Sequence, residues 1–307
     1  MQGLLDHLKG DPLSWLLEPE NPHIRYWTLV DVLGRLANDP DVLKTRAAIA
    51  RQPRVKELFA LQHPDGHWGD DETKPYTAQG AVAALTLLHM LGVKPDKRTT
   101  AGCDSFLQFC QNESGGFSLI KTQRSGIFPC TTGEHLSFLV YFGLGNDPRV
   151  RRAFTFLIED MTTEDALDCG RYQHRDCLWG AIATLNGLAA LPDDMRSKSE
   201  RVVNRLANAL LDARYDFAGE HKRWLTFGVP RAWDLLSAIK ALAAHGYARD
   251  PRFASLLELV QSRQDDQGRW VCGSVSRTWP LEKRNQPSKW ITLDALRVIK
   301  TVARDQR

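Results

Sequence analysis

The stretch Gln62-His-Pro-Asp-Gly-His-Trp-Gly69 decides how the rest of the chain reads. It sets a glutamine, a short polar turn, a glycine and an aromatic residue directly after the apolar-periodic segment 55–61. The same unit returns as Gln111-Asn-Glu-Ser-Gly-Gly-Phe117 after segment 105–110, and as Gln264-Asp-Asp-Gln-Gly-Arg-Trp270 after segment 253–262. The first two copies lead, after a loop, into further apolar runs at 78–91 and 132–142. These spacings predict a repeated unit of helix, glycine turn, aromatic plug and helix.

A second recurrent element opens helices: Asn38-Asp-Pro40, Asn146-Asp-Pro148 and Arg249-Asp-Pro251. Asp before Pro fits an N-cap followed by proline at the first helical position, where its missing N–H costs nothing. Apolar runs that end at Gly92, Gly143 and Gly246 fit C-terminal glycine caps. Long strand-type alternation is missing from the sequence, so the pattern is hairpin after hairpin at a spacing of roughly fifty residues. About six such hairpins fill 307 residues as a single domain, 1–307, with residues 1–50 also readable as a helical extension packed on it.

Composition narrows the partners. With 43% hydrophobic and 25% charged residues, the chain has the balance of a soluble globular protein. Its 40 basic and 37 acidic residues leave a net charge of +3 without a basic run, so nucleic acid is not the expected partner. The opening residues include Asp6 and Asp11 and no long apolar run, which reads as neither a signal peptide nor a transmembrane segment and points to a cytoplasmic protein. Six cysteines then suggest metal ligation or chemistry before disulfides, although Cys103, Cys110 and Cys272 fit small buried apolar positions.

The Gln-x-x-x-Gly-x-Trp unit resembles the QW motif of squalene-hopene cyclases, and Gly115-Gly-Phe117 resembles the Gly-Gly-Phe turn of protein prenyltransferase β subunits. The C-terminal run from Pro287 through Trp290 to Ile299 is similar to the tail of an uncharacterised bacterial group of cyclase-like proteins. The resemblance spans nearly the whole chain and implies an all-α fold, an α/α toroid (an α6-α6 barrel) whose inner helices surround a cavity. It further implies terpenoid cyclase-like or prenyltransferase-like chemistry on an apolar, isoprenoid-like small molecule. An open helical solenoid is the plainer alternative.

In such a barrel the segment after each glycine turn begins an inner helix, whose N-terminus faces one mouth of the cavity. The polar and aromatic candidates there are Tyr76, Thr77 and Gln79, then Thr131, Thr132, Glu134 and His135, then Trp224, Phe227, Trp233 and Asp234. Tyr76, Gln79, Trp179, Trp224, Phe227 and Trp233 are the expected substrate wall, since aromatic faces stabilise cations. Glu134, His135 and Asp234 are the expected acid–base groups. The Asp-x-Asp-Asp acid of protonation-initiated cyclases is missing from the sequence, as is an Asp-Asp-x-x-Asp diphosphate motif. The clusters Asp70-Asp-Glu72, Asp193-Asp194 and Asp265-Asp266 read as solvated turn caps.

The most chemically specific signal is Cys130 together with Cys169, His174 and Cys177. Thiolate and imidazole at this spacing suit one tetrahedral zinc ion, and the resembled bacterial group carries a similar Cys/His arrangement. Asp168, Asp176 or His135 are alternates that would leave one position open. With four protein ligands the metal is structural; with three it is open for chemistry. Two functions follow: a zinc-binding enzyme of the terpenoid cyclase or prenyltransferase type, or a non-catalytic toroid, a scaffold or a lipid- or protein-binding module with structural zinc. A thiol-redox role is disfavoured because the sequence has no Cys-x-x-Cys pair.

Overall fold

The structure is a computed structural model, and it describes residues 2–118, 128–163, 167, 177–213, 224–229, 234–276 and 280–305. Within them the chain is mostly helical, as expected of an all-α protein, with four two-residue strands. The helices are α1 (Gln2–Leu5), α2 (Leu13–Leu16), α3 (Pro22–Trp27), α4 (Pro40–Ile49), α5 (Pro53–Ala60), α6 (Ala81–Met90) and α7 (Lys97–Cys110). They continue as α8 (Pro129–Leu139), α9 (Pro148–Asp160), α10 (Leu178–Leu188), α11 (Arg196–Leu211), α12 (Leu235–Ala244), α13 (Pro251–Gln261) and α14 (Lys289–Asp305). Short π segments extend α3 over Thr28–Val32 and α8 over Val140–Leu144.

The helix ends obey the capping signals. Asp39, Asp147 and Asp250 each accept a hydrogen bond from the backbone N–H two residues on, with proline at the first helical position. Gly92, Gly143 and Gly246 adopt φ of +73°, +94° and +84°, the left-handed conformation that ends a helix cheaply only at glycine.

The chain divides into two compact units, one of residues 52–210 and one that joins residues 1–51 to 211–307. In the first, α6 packs on α5, α7 and α8, and α8 packs on α9 and α10. α6 and α10 are apolar almost all round and are buried, whereas α7, α9 and α11 carry polar faces. α8 and α10 cross at close range. A Cβ at Gly133 would sit 2.5 Å from the Ala183 carbonyl oxygen, and one at Gly187 would sit 2.5 Å from that of Gly133. In the second unit α12 packs on α13 and α14, α14 on α1 and the first π segment, and α3 on α4. Strand β1 (Gly228–Val229) pairs in parallel with β3 (Ser274–Val275), and β2 (Trp270–Val271) pairs antiparallel with β4 (Pro287–Ser288).

All three glycine turns have the same construction. The glutamine and the aromatic of each form an antiparallel bridge: Gln62 with Trp68, Gln111 with Phe117, Gln264 with Trp270. The indoles of Trp68 and Trp270 are buried and donate to the carbonyls of Leu58 and Val260, at 2.6 and 2.7 Å. The backbone N–H groups of Phe117 and Trp270 donate to the hydroxyls of Thr132 and Thr292, which sit at the start of the following helix.

Each turn also docks on a neighbour. Gln62 donates to the Arg98 carbonyl at the start of α7 at 2.9 Å, and Gln111 to the Arg149 carbonyl at the start of α9 at 2.7 Å. Gly66 and Gly115 lie against Ala101 and Arg152, where a Cβ would come within 2.4 and 2.7 Å of a carbonyl oxygen. The third turn makes the equivalent contact near the start of the chain: Gln264 accepts from Lys9 N–H, and a Cβ at Gly268 would lie 2.4 Å from the Gly10 carbonyl oxygen.

Candidate functional site

The two described thiols of the Cys/His set sit at helix N-termini. Cys130 is the second residue of α8, behind Pro129, and Cys177 is the N-cap of α10, its N–H donating to the Leu167 carbonyl at 2.7 Å. Both are half-buried, and their helices pack on each other. The N-terminal end of a helix dipole favours the thiolate, the form that binds metal. Cys169 and His174 lie outside the described residues, as do the alternates Asp168 and Asp176. Cys103, Cys110 and Cys272 are fully buried, as their apolar reading required, and burial pushes the first two thiols far up in pKa.

His135 and Glu134 are adjacent in sequence and divided by the helix. On α8 the half-exposed stripe is Thr131, Glu134 and Ser137; on α6 it is Ala83, Thr86 and His89. The two stripes meet at their ends, where the Tyr141 ring lies 4.7 Å from that of His89. Glu134 therefore lies on a half-exposed stripe of α8, and on α10 Trp179 and Asn186 are half-exposed in turn. His135 points the other way. It is 1% exposed, and its ring lies 5.5 Å from Tyr76 and from Phe106 and 5.6 Å from Phe138. Its Nδ1 donates to the Thr131 carbonyl at 2.5 Å.

Tyr76, Thr77 and Gln79 precede α6 and do not begin it. α6 starts at Ala81 with Gly80 as N-cap, because the Pro75 carbonyl takes the Val82 N–H at 3.0 Å and closes a turn before it. Tyr76 is half-buried from this turn, and Gln79 is exposed on it.

In the other unit, Trp224 and Phe227 are buried, and Trp233 lies outside the described residues. Asp234 is the N-cap of α12 and not a residue within it. One carboxylate oxygen accepts from Ser237 N–H at 2.8 Å and the other from Gly228 N–H at 3.3 Å. At 3% exposure, burial raises its pKa to about 6, against the pull of those two N–H groups and Lys240.

A group of which the sequence reading assigned only Glu72, to turn capping, stands out. The ligand atoms of Asp65, His67 and Glu72 all lie within 4.8 Å of one another beside the first glycine turn. Asp71 does cap, accepting from Thr73 N–H and hydroxyl, but Glu72 turns toward the His67 side. The signal available in the sequence was two histidines and four acids within 63–72.

No family model and no curated protein match the chain. Among solved structures, a crystal structure of a protein from Actinoplanes aligns with a TM-score of 0.48 at 16% identity, over 92% of this chain and 90% of that one. Among the described residues no helix is long and apolar enough to cross a membrane.

Proposed function

We propose that the chain is an α/α toroid similar to the terpenoid cyclases and prenyltransferase β subunits. In this reading it binds zinc through Cys130, Cys169, His174 and Cys177 and takes an apolar, isoprenoid-like molecule between its inner helices. The toroid is supported by the third glycine turn: it docks on residues 7–10 as the earlier turns dock on the next hairpin, so the series of hairpins ends on its own beginning.

The observation that carries the metal half is the pair of half-buried thiols, Cys130 and Cys177, at the N-termini of the packed helices α8 and α10. Two helix-end thiolates with a further thiolate and an imidazole form a soft donor set that fits zinc. Bound there, zinc supplies Lewis acidity if one position stays open and a structural staple if all four are filled. Glu134, on the half-exposed stripe of α8, is the general base or acid of this reading. Trp179 and the Tyr76 to Gln79 turn belong to its substrate wall, while Trp224 and Phe227 are buried packing residues of the other unit.

A second reading, a non-catalytic binding toroid with structural zinc, is favoured by Asp234. This buried acid has both carboxylate oxygens committed to backbone N–H groups. Metal analysis of the purified chain and of Cys130→Ser and Cys177→Ser, with turnover assays on isoprenoid alcohols and diphosphates, separates the outcomes. Stoichiometric zinc with zinc-dependent product supports the enzyme. Zinc that affects stability alone supports the scaffold, and zinc at wild-type level in both variants removes the metal half of the proposal.

A further inference from the structure

We propose that Asp65, His67 and Glu72 form a binding site for a hydrated divalent transition-metal ion of the zinc or cobalt class, separate from the cysteine set. Three kinds of observation converge on it. The first is distance. A zinc ion bonds imidazole nitrogen and carboxylate oxygen at about 2.0–2.2 Å, so two ligand atoms on one ion lie at most about 4.4 Å apart. The three groups already fall within 4.8 Å of each other, so a side-chain adjustment in which the Asp65–His67 hydrogen bond gives way brings them onto one ion.

The second is donor chemistry. One imidazole with two carboxylates is a borderline set that suits zinc, cobalt or nickel over the all-oxygen shells of calcium and magnesium. The His67 side chain is only 13% exposed and is held on both sides. Its Nδ1 lies 2.6 Å from Asp65, and the His63 ring stacks on it at 4.1 Å with an interplanar angle of 7°. The neighbouring Asp71 is matched by Lys74 at 2.9 Å, and Asp65 and Glu72 are the carboxylates grouped with the histidine.

The third is a comparison inside the molecule. The glycine turn is built three times, and the other copies hold the same bridge and the same docking contact without these side chains. Where the first copy has Asp65 and His67, the second has Ser114 and Gly116 and the third has Gln267 and Arg269. The turn needs its glutamine, glycine and aromatic. It does not need an imidazole beside a carboxylate, so the pair is an addition to the scaffold. Glu72 reaches it from the loop that leads through Tyr76 and Gln79 to α6, so the bound ion would fasten that loop to the rigid turn.

Cobalt titration of the full-length apo-protein, followed by visible absorption, tests the site. The expected result is one equivalent of cobalt whose spectrum has no thiolate charge-transfer band, which separates it from any ion on the cysteines. The double variant Asp65→Gln/His67→Arg takes the residues of the third turn, and should keep wild-type circular dichroism while it loses that equivalent. Glu72→Gln, at an exposed position, should weaken it at least tenfold. Limited proteolysis within 70–79 should slow with metal in the wild type only. A wild-type chain that takes up no such equivalent, or variants that bind it unchanged, would overturn the assignment.

Discussion

The side-chain oxygen of Gln264 accepts a hydrogen bond from the backbone N–H of Lys9 at 2.8 Å, across a separation of 255 residues. Its amide also donates to the His7 carbonyl at 3.4 Å. The glutamine of the last glycine turn thereby does for the start of the chain what Gln62 and Gln111 do for the hairpins after them.

Gln264→Ala should accordingly destabilise the protein by about 1–3 kcal/mol, because it strips partners from backbone groups in a largely buried place. Removal of residues 1–10 should cost at least as much. In urea denaturation the two changes should be less than additive, since they break the same contact. Full additivity would show that residues 7–10 and the third turn are energetically independent.

Asp234 gives stability a pH dependence of defined sign. Its pKa is about 6 in the folded protein against 3.8 for a free carboxyl, so the folded state binds its proton more tightly. The contribution is complete below about pH 4 and is lost as the pH rises through 6. The rise from 3.8 to about 6 bounds it at about 3 kcal/mol. Asp234→Asn, which keeps an oxygen for Ser237 N–H, should flatten this part of the curve in chemical denaturation between pH 4 and 7. An identical slope in both proteins would count against it.

Gly133→Ala and Gly187→Ala should each cost 1–3 kcal/mol or more, since the added methyl meets backbone atoms of the facing helix at 2.5 Å. Thermal melts will show this directly. Gly145→Ala, where the nearest atom is a Val140 methyl at 3.5 Å, should change stability far less.

Cys103→Ala separates buried thiols from metal-binding ones. It should lower stability through lost packing at a fully buried position and leave zinc content unchanged, whereas Cys177→Ser should lower zinc content. Equal metal loss in both would point to general unfolding instead of ligand removal.

The helix boundaries were the most legible feature. Asp39-Pro40, Asp147-Pro148 and Asp250-Pro251 opened helices as expected, and Gly92, Gly143 and Gly246 closed them, because caps are local and depend on a few adjacent residues. The start of α6 was less legible: Pro75 closes a turn through a backbone hydrogen bond that apolar periodicity does not register. Candidate site residues were legible as types and not as directions. Glu134 and His135 look equivalent in sequence, yet one joins a half-exposed stripe and the other is sealed among Tyr76, Phe106 and Phe138. Asp234 looked like a lone acid and proved to be a cap.

The sequence by itself determined the repeated helix, glycine turn and aromatic plug, because each part follows from side chains within a few positions of one another. Only the tertiary structure decided what each turn meets. Gln62 and Gln111 dock on the starts of α7 and α9 while Gln264 docks on Lys9, and Asp65, His67 and Glu72 converge beside one turn of three. Those relationships depend on where distant backbone groups come to rest once the apolar faces are buried, and pairings of that range have no local signature.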